Sequence, residues 1–182
     1  AGMTAPLSLL GAITLCNAEF LAQTTLEQMS RPGKPVVYDS VLTVADVRTG
    51  AYAPGAIETG ILAMGCAQMA RFYGVPSAGF AGLTNAKVDD AQAGYETGLS
   101  AMAGLLGGMD LLAMGGLLDA LMAFDFGKAV VDHEVALMLK RVKRGLAFSP
   151  DNLALDLIAE VGPGGIFTDR RHTLERMRTE AL

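Results

Sequence analysis

The sequence predicts an α/β fold in which short buried strands alternate with long helices. Two observations carry this prediction. Three short apolar runs lack polar alternation, which is typical of parallel strands that are buried on both faces. Helical patterns lie between the runs and stop at glycine or proline, so that the runs recur about every 35–40 residues, as strand–helix–strand units require.

The individual elements follow from these patterns in chain order. The predicted strands cover residues 35–40, 76–80 and 109–115. The predicted helices cover residues 6–29, 56–73, 89–106, 128–144 and 152–161. Gly74 is predicted to end the second helix in the left-handed conformation, which glycine adopts at little cost. Residues 41–54 form the longest polar break and are predicted to be a loop.

The beginning of the chain favours one architecture within the α/β class. Residues 2–6 enter the first helix directly, with Thr4 as its predicted N-cap and Pro6 near its first position. Such a segment resembles the carboxyl end of a strand. Since a complete TIM (β/α)8 barrel needs about 250 residues, we predict a partial TIM barrel of about three to four parallel strand–helix units, forming a single domain over residues 1–182. A small doubly wound sheet that is complete in itself is the alternative.

Composition excludes several classes of protein. Hydrophobic residues make up 51% and charged residues 18% of the chain, which excludes an intrinsically disordered protein. The net charge of −5 and the 14 Lys and Arg residues argue against a nucleic-acid binder. Asp110, Asp119 and five glycines interrupt the longest apolar stretch, residues 101–124, so no membrane span is predicted. Because there are only two cysteines and no signal-peptide pattern, we expect a cytoplasmic protein with buried, inert thiols.

Candidate site residues follow from the rule that ligands of such folds bind at the carboxyl ends of the strands. Tyr38 and Asp39 stand at the end of the first predicted strand. An aromatic face beside a carboxylate suits a cation, through cation–π contact and Coulomb attraction. The alternative, that Tyr38 packs against a helix and Asp39 caps a turn, stays open at this point.

The second predicted strand leads into a loop of small residues, 79–87, which matches neither of the glycine-rich phosphate-binding motifs. Thr84 or Asn85 in this loop can instead cap the next helix. Gln92, Tyr95 and Glu96 follow at spacings that place them on one face of that helix. The complete set of predicted substrate-binding residues is Tyr38, Asp39, Phe80, Asn85, Gln92, Tyr95 and Glu96.

No catalytic residue and no metal site is assigned from the sequence. His133 and His172 are the only histidines, and neither has a second His or Cys at ligand spacing. There is no G-x-S-x-G elbow around a nucleophilic serine.

An ordered set of short motifs carries a family resemblance. The motifs are NAE at 17–19, AQMARFYGVPS at 67–77, TNAK at 84–87, DAQAGYE at 90–96, EVGPGG at 160–165 and HT at 172–173. Together they resemble the trimethylamine methyltransferase family, whose members are corrinoid-protein-dependent methyltransferases with a TIM-barrel fold. The resemblance covers nearly the whole chain and only the carboxyl-terminal part of the family's usual length.

The resemblance implies transfer of a methyl group from an amine to the cobalt of a cobalamin. That cobalamin is carried by a separate corrinoid protein, so the resemblance implies no cofactor bound directly to this chain. The trimethylamine enzymes of methanogens contain pyrrolysine, whereas every position here is a standard residue. The sequence therefore resembles a non-pyrrolysine member, and a quaternary amine such as glycine betaine is favoured over trimethylamine.

The implied partners are a corrinoid protein, a small quaternary or tertiary amine, and further copies of the chain. We expect a homo-oligomer because a partial barrel has open sheet edges and an exposed apolar face. We also expect the 182-residue chain alone to be inactive, since part of the barrel wall is absent. Two alternatives remain: a non-catalytic barrel fragment that acts as an oligomerising scaffold, and another TIM-barrel enzyme whose phosphate-bearing substrate is held by the turn at 162–165.

Overall fold

The computed structural model describes residues 1–177 and 180 of the chain. The chain, treated above as a single domain, divides into two compact units, Ala1–Leu139 and Lys140–Leu182. The first unit contains the sheet and all seven predicted site residues. Among the described residues, no helix combines the length and apolarity that a membrane span requires.

The first unit alternates helices and strands as the sequence predicts. Its helices are α1 (Leu9–Ser30), α2 (Ile57–Tyr73), α3 (Ala91–Gly107) and α4 (Phe126–Arg144), the last of which continues into the second unit. Its strands are β1 (Tyr38–Ser40), β2 (Val44–Asp46), β3 (Ala51–Ala53), β4 (Ser77–Phe80), β5 (Leu111–Ala113), β6 (Leu117–Leu118) and β7 (Ala123–Phe124).

The three predicted strands form one parallel sheet in the order β1–β4–β5. Tyr38 pairs with Ser77 across β1 and β4, and Phe80 pairs with Ala113 across β4 and β5. The prediction that these strands are parallel is therefore confirmed. A barrel requires the strands to close on themselves, so the partial-barrel architecture stays a prediction.

The helices cover one face of this sheet and leave the other face open. Tyr38 on β1 packs against Cys16 of α1 and Cys66 of α2 in the main core cluster. A second cluster joins Ala63 of α2 to Met109 before β5. Glycine lets α2 and α3 approach closely, because a Cβ on Gly60 of α2 would lie 2.9 Å from the Cβ of Ala103 on α3.

Two hairpins lie where the sequence analysis predicts only loop and strand. Within the 41–54 loop, β2 and β3 pair antiparallel, with Val44 opposite Ala53. After β5, β6 and β7 pair antiparallel around a turn in which Asp119, Ala120 and Leu121 all have positive φ, at 47°, 53° and 79°. These strands have only two or three residues each, which is too short for a periodic hydrophobic pattern.

Helix ends follow local chemistry, with some corrections to the predicted caps. Gly74 ends α2 in the left-handed conformation with φ 67°, as predicted. The residue before α1 is Ser8 rather than the predicted Thr4. Asp90, rather than Thr84 or Asn85, caps α3 by accepting a hydrogen bond from the backbone N–H of Ala93.

The second unit consists of short helices. They are α5 (Pro150–Leu153), α6 (Leu155–Val161) and α7 (Arg171–Arg176). The single helix predicted over 152–161 is broken at Ala154, whose φ of 51° is left-handed. A groove of about 520 Å³ in this unit is lined by apolar side chains, among them Phe148 and Met177, and by polar ones, among them His172 and Arg176.

Candidate functional site

The open face of the sheet presents one carboxylate among apolar side chains. Asp39 on β1 is exposed, while its neighbours Tyr38 and Ser40 are buried against the helices. Because side chains alternate along a strand, the residues in register with Asp39, namely Ala78 and Leu111, share its open face. Leu111 is 62% exposed, so this face has no covering layer within the described structure.

Phe80 lies on the same open face as Asp39 and nearer the carboxyl end of the sheet. It follows Ala78 by two residues on β4, and Ala78 is the register partner of Asp39. Strand spacing and rise place the two Cα atoms about 8 Å apart, a gap in which a small organic cation could contact both side chains. The structure thus brings Asp39 and Phe80 together on one surface.

Asp39 also stands at the free edge of the sheet. It borders a groove of about 410 Å³ between α1 and the chain leading into β1, which Glu19 and Lys34 also line. Within the described residues, β1 pairs with β4 on one side only. The carboxylate is therefore accessible both from the open face and from the sheet edge.

Tyr38 lies on the opposite face of the sheet and is a core residue. Its side chain is fully buried, and its ring centroid is 4.5 Å from that of Phe20 on α1. Burial raises the pKa of its phenol, so the hydroxyl stays protonated. The interpretation in which Tyr38 packs against a helix is the one that the structure supports, because strand alternation puts Tyr38 and Asp39 on different faces.

The two cysteines meet beside Tyr38 in the same core. The pKa of Cys16 is lowered to about 7, mainly because the Cys66 thiol donates a hydrogen bond to it. That hydrogen bond and burial raise the pKa of Cys66. The predicted burial of both thiols is confirmed. The lowered pKa of Cys16 is a consequence of its pairing with Cys66, because an isolated buried thiol has a raised pKa.

Glu96 on α3 organises the loop that follows β4. Its Oε2 atom accepts a hydrogen bond of 2.6 Å from the Thr84 hydroxyl and one of 2.7 Å from the backbone N–H of Asn85. Its Oε1 atom accepts a hydrogen bond of 2.9 Å from the Gln92 amide. The carboxylate therefore has protein partners at both oxygens and acts as an anchor for the loop.

Asn85 extends this network to the segment that precedes α2. Its side-chain oxygen accepts a hydrogen bond of 2.7 Å from the Gly55 N–H, and its amide donates one of 2.9 Å to the Tyr52 carbonyl. The Asn85 side chain thus joins the β3–α2 and β4–α3 loops at the carboxyl edge of the sheet. Asn85 and Gln92 both donate hydrogen bonds to Glu96, and the predicted role of these three residues in substrate binding stays a prediction.

Tyr95 lies away from this network. It is 56% exposed on the outer side of α3, whereas Glu96 turns toward the loop. Tyr38 in the core and Tyr95 on the outer side of α3 therefore lie on different surfaces from Asp39, so the seven predicted site residues do not share one surface. Neighbouring positions on a helix point about 100° apart, so the shared-face spacing of Gln92, Tyr95 and Glu96 brings only the first and last into contact.

A buried ion pair on α4 lies beside the loop that follows β5, and the sequence did not predict it. The Lys128 ammonium lies 2.7 and 2.5 Å from the two Asp132 carboxylate oxygens and donates to the Thr97 hydroxyl at 3.1 Å. Asp132 also accepts a hydrogen bond of 2.7 Å from the backbone N–H of Gly116. The i, i+4 spacing of Lys128 and Asp132 on α4 indicates that the two side chains can pair. Many exposed ion pairs on helices have the same spacing, so the spacing does not predict that this pair is buried.

The left-handed turn after β6 is held against the β4–α3 loop. The Asp119 N–H donates to the Ala86 carbonyl at 2.8 Å, and the Ala120 N–H donates to the Thr84 carbonyl at 3.0 Å. Left-handed conformations cost about 1–2 kcal/mol for each non-glycine residue. Such a turn persists only where its surroundings hold it, and here its two backbone hydrogen bonds join it to the β4–α3 loop.

Replacing Gly55 by alanine tests whether the Glu96 network positions these loops. An added Cβ would meet the Glu96 carboxylate and lie 2.7 Å from the Asn85 nitrogen, so the network must shift. We expect Gly55→Ala to lower the free energy of unfolding by about 1–3 kcal/mol, the typical cost of overpacking. Gly94→Ala is the matched control, because nothing lies within 4 Å of its added Cβ. Equal unfolding midpoints for the two variants in urea would contradict the expectation.

Within residues 1–177 and 180, no group of three or more His, Cys, Asp or Glu side chains could hold a metal ion. The candidate site is therefore described by Asp39 and Phe80 on the open face and by the anchored loops at the carboxyl edge. These groups can bind and orient a cation.

The fold and the site together define an α/β protein whose candidate residues lie on the open face and carboxyl-end loops of a parallel sheet. The family model described as Trimethylamine methyltransferase (MTTB) matches residues 1–181. The chain belongs to this family, as the motifs in its sequence indicate.

Its similarity to named relatives covers nearly the whole chain. It is 42% identical over 181 residues to the glycine betaine methyltransferase of Desulfitobacterium hafniense (strain Y51), a match that covers 99% of this chain and 38% of the relative. It is 33% identical over 180 residues to the trimethylamine methyltransferase MttB of Desulfitobacterium hafniense (strain DSM 10664 / DCB-2), covering 99% and 36%. It is 33% identical over 172 residues to MttB of Methanosarcina barkeri, covering 94% and 35%.

The chain thus spans 35–38% of the length of these relatives. All three are named as methyltransferases. Neither the scaffold nor the phosphate-binding alternative is favoured by this set of names.

Proposed function

We propose that the full-length protein is a methyltransferase that moves a methyl group from a quaternary or tertiary amine to the cobalt of a partner corrinoid protein. The observation that carries the proposal is the Asp39 carboxylate beside Phe80 on an otherwise apolar sheet face, in a chain of this family. The relative named glycine betaine methyltransferase is 42% identical, against 33% for the trimethylamine enzymes, which favours a quaternary amine.

The chemistry of such a substrate matches what these residues offer. A quaternary ammonium has no proton to lose, so no general base is needed at nitrogen. The reduced cobalt of the partner supplies the nucleophile. This chain has only to bind the cation and orient one methyl group, which is catalysis by positioning and electrostatics.

Each residue of the pair has a distinct role in that scheme. Asp39 balances the charge of the ammonium group, and the face of Phe80 attracts its methyl groups through a cation–π contact. The Glu96 and Asn85 network holds the loops at the rim of the face. We further propose that the sheet is one wall of a TIM barrel in the cytoplasm, and that the open face lines its interior; the sequential strand order and the helices on one face support this.

A spectroscopic assay of the full-length protein tests the proposal. Reduced corrinoid protein should convert to its methylated form in the presence of glycine betaine, carnitine or trimethylamine. The change in absorbance of the cobalamin measures this conversion. Asp39→Asn should lower kcat/KM about fivefold or more, since an ion pair at 4 Å is worth about 1–4 kcal/mol between bulk water and a partly buried site. Phe80→Leu should lower it about 2- to 30-fold, which is the range of a cation–π contact.

Asp46→Asn is the matched control, because it removes the same charge from the β2–β3 hairpin outside the open face. Its activity should stay within twofold of the unchanged protein. If a folded enzyme does not methylate the corrinoid protein with any of the three amines, the proposed function is overturned. Equal activities of the Asp39 and Asp46 variants would leave methyl transfer standing and remove Asp39 from the site.

A further inference from the structure

Cys16 of α1 and Cys66 of α2 form a pair of neighbouring thiols that the proposed methyl transfer does not use. Both are free thiols, and they pack with Tyr38 and Ala70 in one core cluster. The Cys66 thiol donates a hydrogen bond to the Cys16 sulfur, so the two sulfur atoms lie side by side. Because the atoms that would be joined are already neighbours, the pair can close a disulfide without a large movement of either helix.

The packing of α1 against α2 fixes the place where the two thiols meet. A Cβ on Gly65 of α2 would overlap the Ile13 side chain of α1, so the missing side chain lets the helices approach. Farther along both helices, the Asn17 amide donates to the Tyr73 hydroxyl at 3.0 Å. The two cysteines lie between these contacts. Side chains as short as cysteine meet here because the helices are held close on both sides of them.

A groove connects one of the two thiols with the surface. Cys16 lines the groove of about 410 Å³ that Asp39 borders. Cys16 is 9% exposed, whereas Cys66 is 0% exposed. A reagent as small as hydrogen peroxide can enter such a groove, while a tripeptide disulfide is too large to reach so little exposed sulfur. The pair therefore consists of one thiol that a small oxidant reaches and a second thiol behind it.

The surroundings of Cys16 favour its nucleophilic form. The hydrogen bond from Cys66 lowers the pKa of Cys16, which increases the fraction present as thiolate. Burial and the carboxylates of Glu19 and Asp39 act in the opposite direction, and the hydrogen bond has the larger effect. Peroxides oxidise thiolates, and a second cysteine nearby then resolves the oxidised sulfur. Cys16 has the position of the attacking thiol and Cys66 that of the resolving thiol.

We propose that Cys16 and Cys66 form a peroxide-oxidised dithiol site that closes a disulfide between α1 and α2. The Cys16 thiolate attacks one oxygen of hydrogen peroxide, the O–O bond breaks, and hydroxide leaves, so that Cys16 becomes a sulfenic acid. The Cys66 sulfur then attacks the Cys16 sulfur, the S–O bond breaks, and the hydroxyl leaves as water with the Cys66 proton. Overall, the two thiols lose two electrons and two protons, and one hydrogen peroxide becomes two waters. A thiol reductant reverses the reaction by thiol–disulfide exchange.

This site is separate from the proposed amine site. The cysteines lie on the helix side of β1 with Tyr38, whereas Asp39 is exposed on the opposite face. The oxidation needs neither an amine nor a corrinoid protein. A failure of the dithiol proposal is therefore distinguishable from a failure of the proposed methyl transfer.

Peptide mapping of the full-length protein tests the proposal. The reduced protein is treated with hydrogen peroxide, its remaining thiols are alkylated under denaturing conditions, and its peptides are analysed by mass spectrometry. The peptides that contain Cys16 and Cys66 should be joined, two hydrogen atoms lighter than their sum, and separated again by dithiothreitol. Oxidised glutathione should join them at least about tenfold more slowly, because access limits its attack. Absence of the joined peptides after peroxide treatment of the folded protein would overturn the proposal, and equal rates with the two oxidants would contradict the assignment to peroxide.

Two matched serine variants test the roles of the two thiols. In Cys66→Ser, a sulfenic acid should accumulate on Cys16 and be labelled by dimedone, since no resolving thiol remains. In Cys16→Ser, labelling of Cys66 should be at least about tenfold slower, because that thiol is fully buried and its pKa is raised. Both variants replace one sulfur by oxygen in the same cluster, so they share any loss of packing. Equal labelling of the two folded variants would overturn the assignment of Cys16 as the attacking thiol.

Discussion

Replacing Lys128 by methionine is expected to lower the free energy of unfolding by about 3–5 kcal/mol, the cost of leaving one partner of a buried ion pair uncompensated. The Lys128 and Asp132 side chains are 1% and 4% exposed, so water cannot replace the lost ammonium. Among the described residues, the Asp132 carboxylate would retain only the backbone N–H of Gly116 as a hydrogen-bond donor. Urea denaturation of the variant and the unchanged protein measures the difference.

The surface pair between Lys34 and Glu27 provides the control. Its side chains are 46% and 38% exposed, so Lys34→Met should cost about 1 kcal/mol or less. The two substitutions change the same residue type to the same replacement, and they differ in burial. If Lys128→Met lowers the free energy of unfolding no more than Lys34→Met does, the buried ion pair does not stabilise the loop after β5 through Asp132 and Gly116.

Replacing Tyr38 by alanine is expected to lower the free energy of unfolding by about 3–5 kcal/mol, as for other buried aromatic residues. The ring fills the core between β1 and the helices α1 and α2, where the side chains of Phe20, Cys16 and Cys66 surround it. Tyr38→Phe should cost about 1 kcal/mol or less, because the hydroxyl has no nitrogen or oxygen partner among the described residues. Thermal or urea unfolding of both variants tests this.

The Tyr38 pair of variants also separates a core role from a substrate role. Tyr38→Phe should leave the KM for the amine and kcat within twofold of their original values in the full-length enzyme. A tenfold rise in KM with unchanged stability would show that the Tyr38 hydroxyl contacts the substrate. That result would overturn its assignment to the core.

The local elements of the fold were predictable because each has a strong short-range signal. The parallel strands β1, β4 and β5 are short apolar runs that begin after proline or glycine, and their order follows from the helices between them. Gly74 ends α2 because the left-handed conformation is free of strain for glycine. The β2–β3 and β6–β7 hairpins were missed because two- and three-residue strands have no measurable period.

The candidate site was only partly predictable. Strand alternation separates Tyr38 from Asp39, and this follows once the buried face of β1 is known. The sequence does not say which of two neighbouring polar or aromatic residues faces the helices. The Glu96 and Asn85 network depends on contacts between residues up to 33 positions apart, which no spacing rule predicts.

By itself, the sequence determined the family, the α/β class and the approximate position of each major strand and helix, because these depend on composition, motifs and local periodicity. Only the tertiary structure decided which side chains share a surface: Asp39 with Phe80, Glu96 with the β4–α3 loop, and Lys128 with Asp132. The physical reason is that orientation is set by register and packing between distant segments. A shift of one residue in a strand, or of 100° around a helix, moves a side chain from the core to the open face.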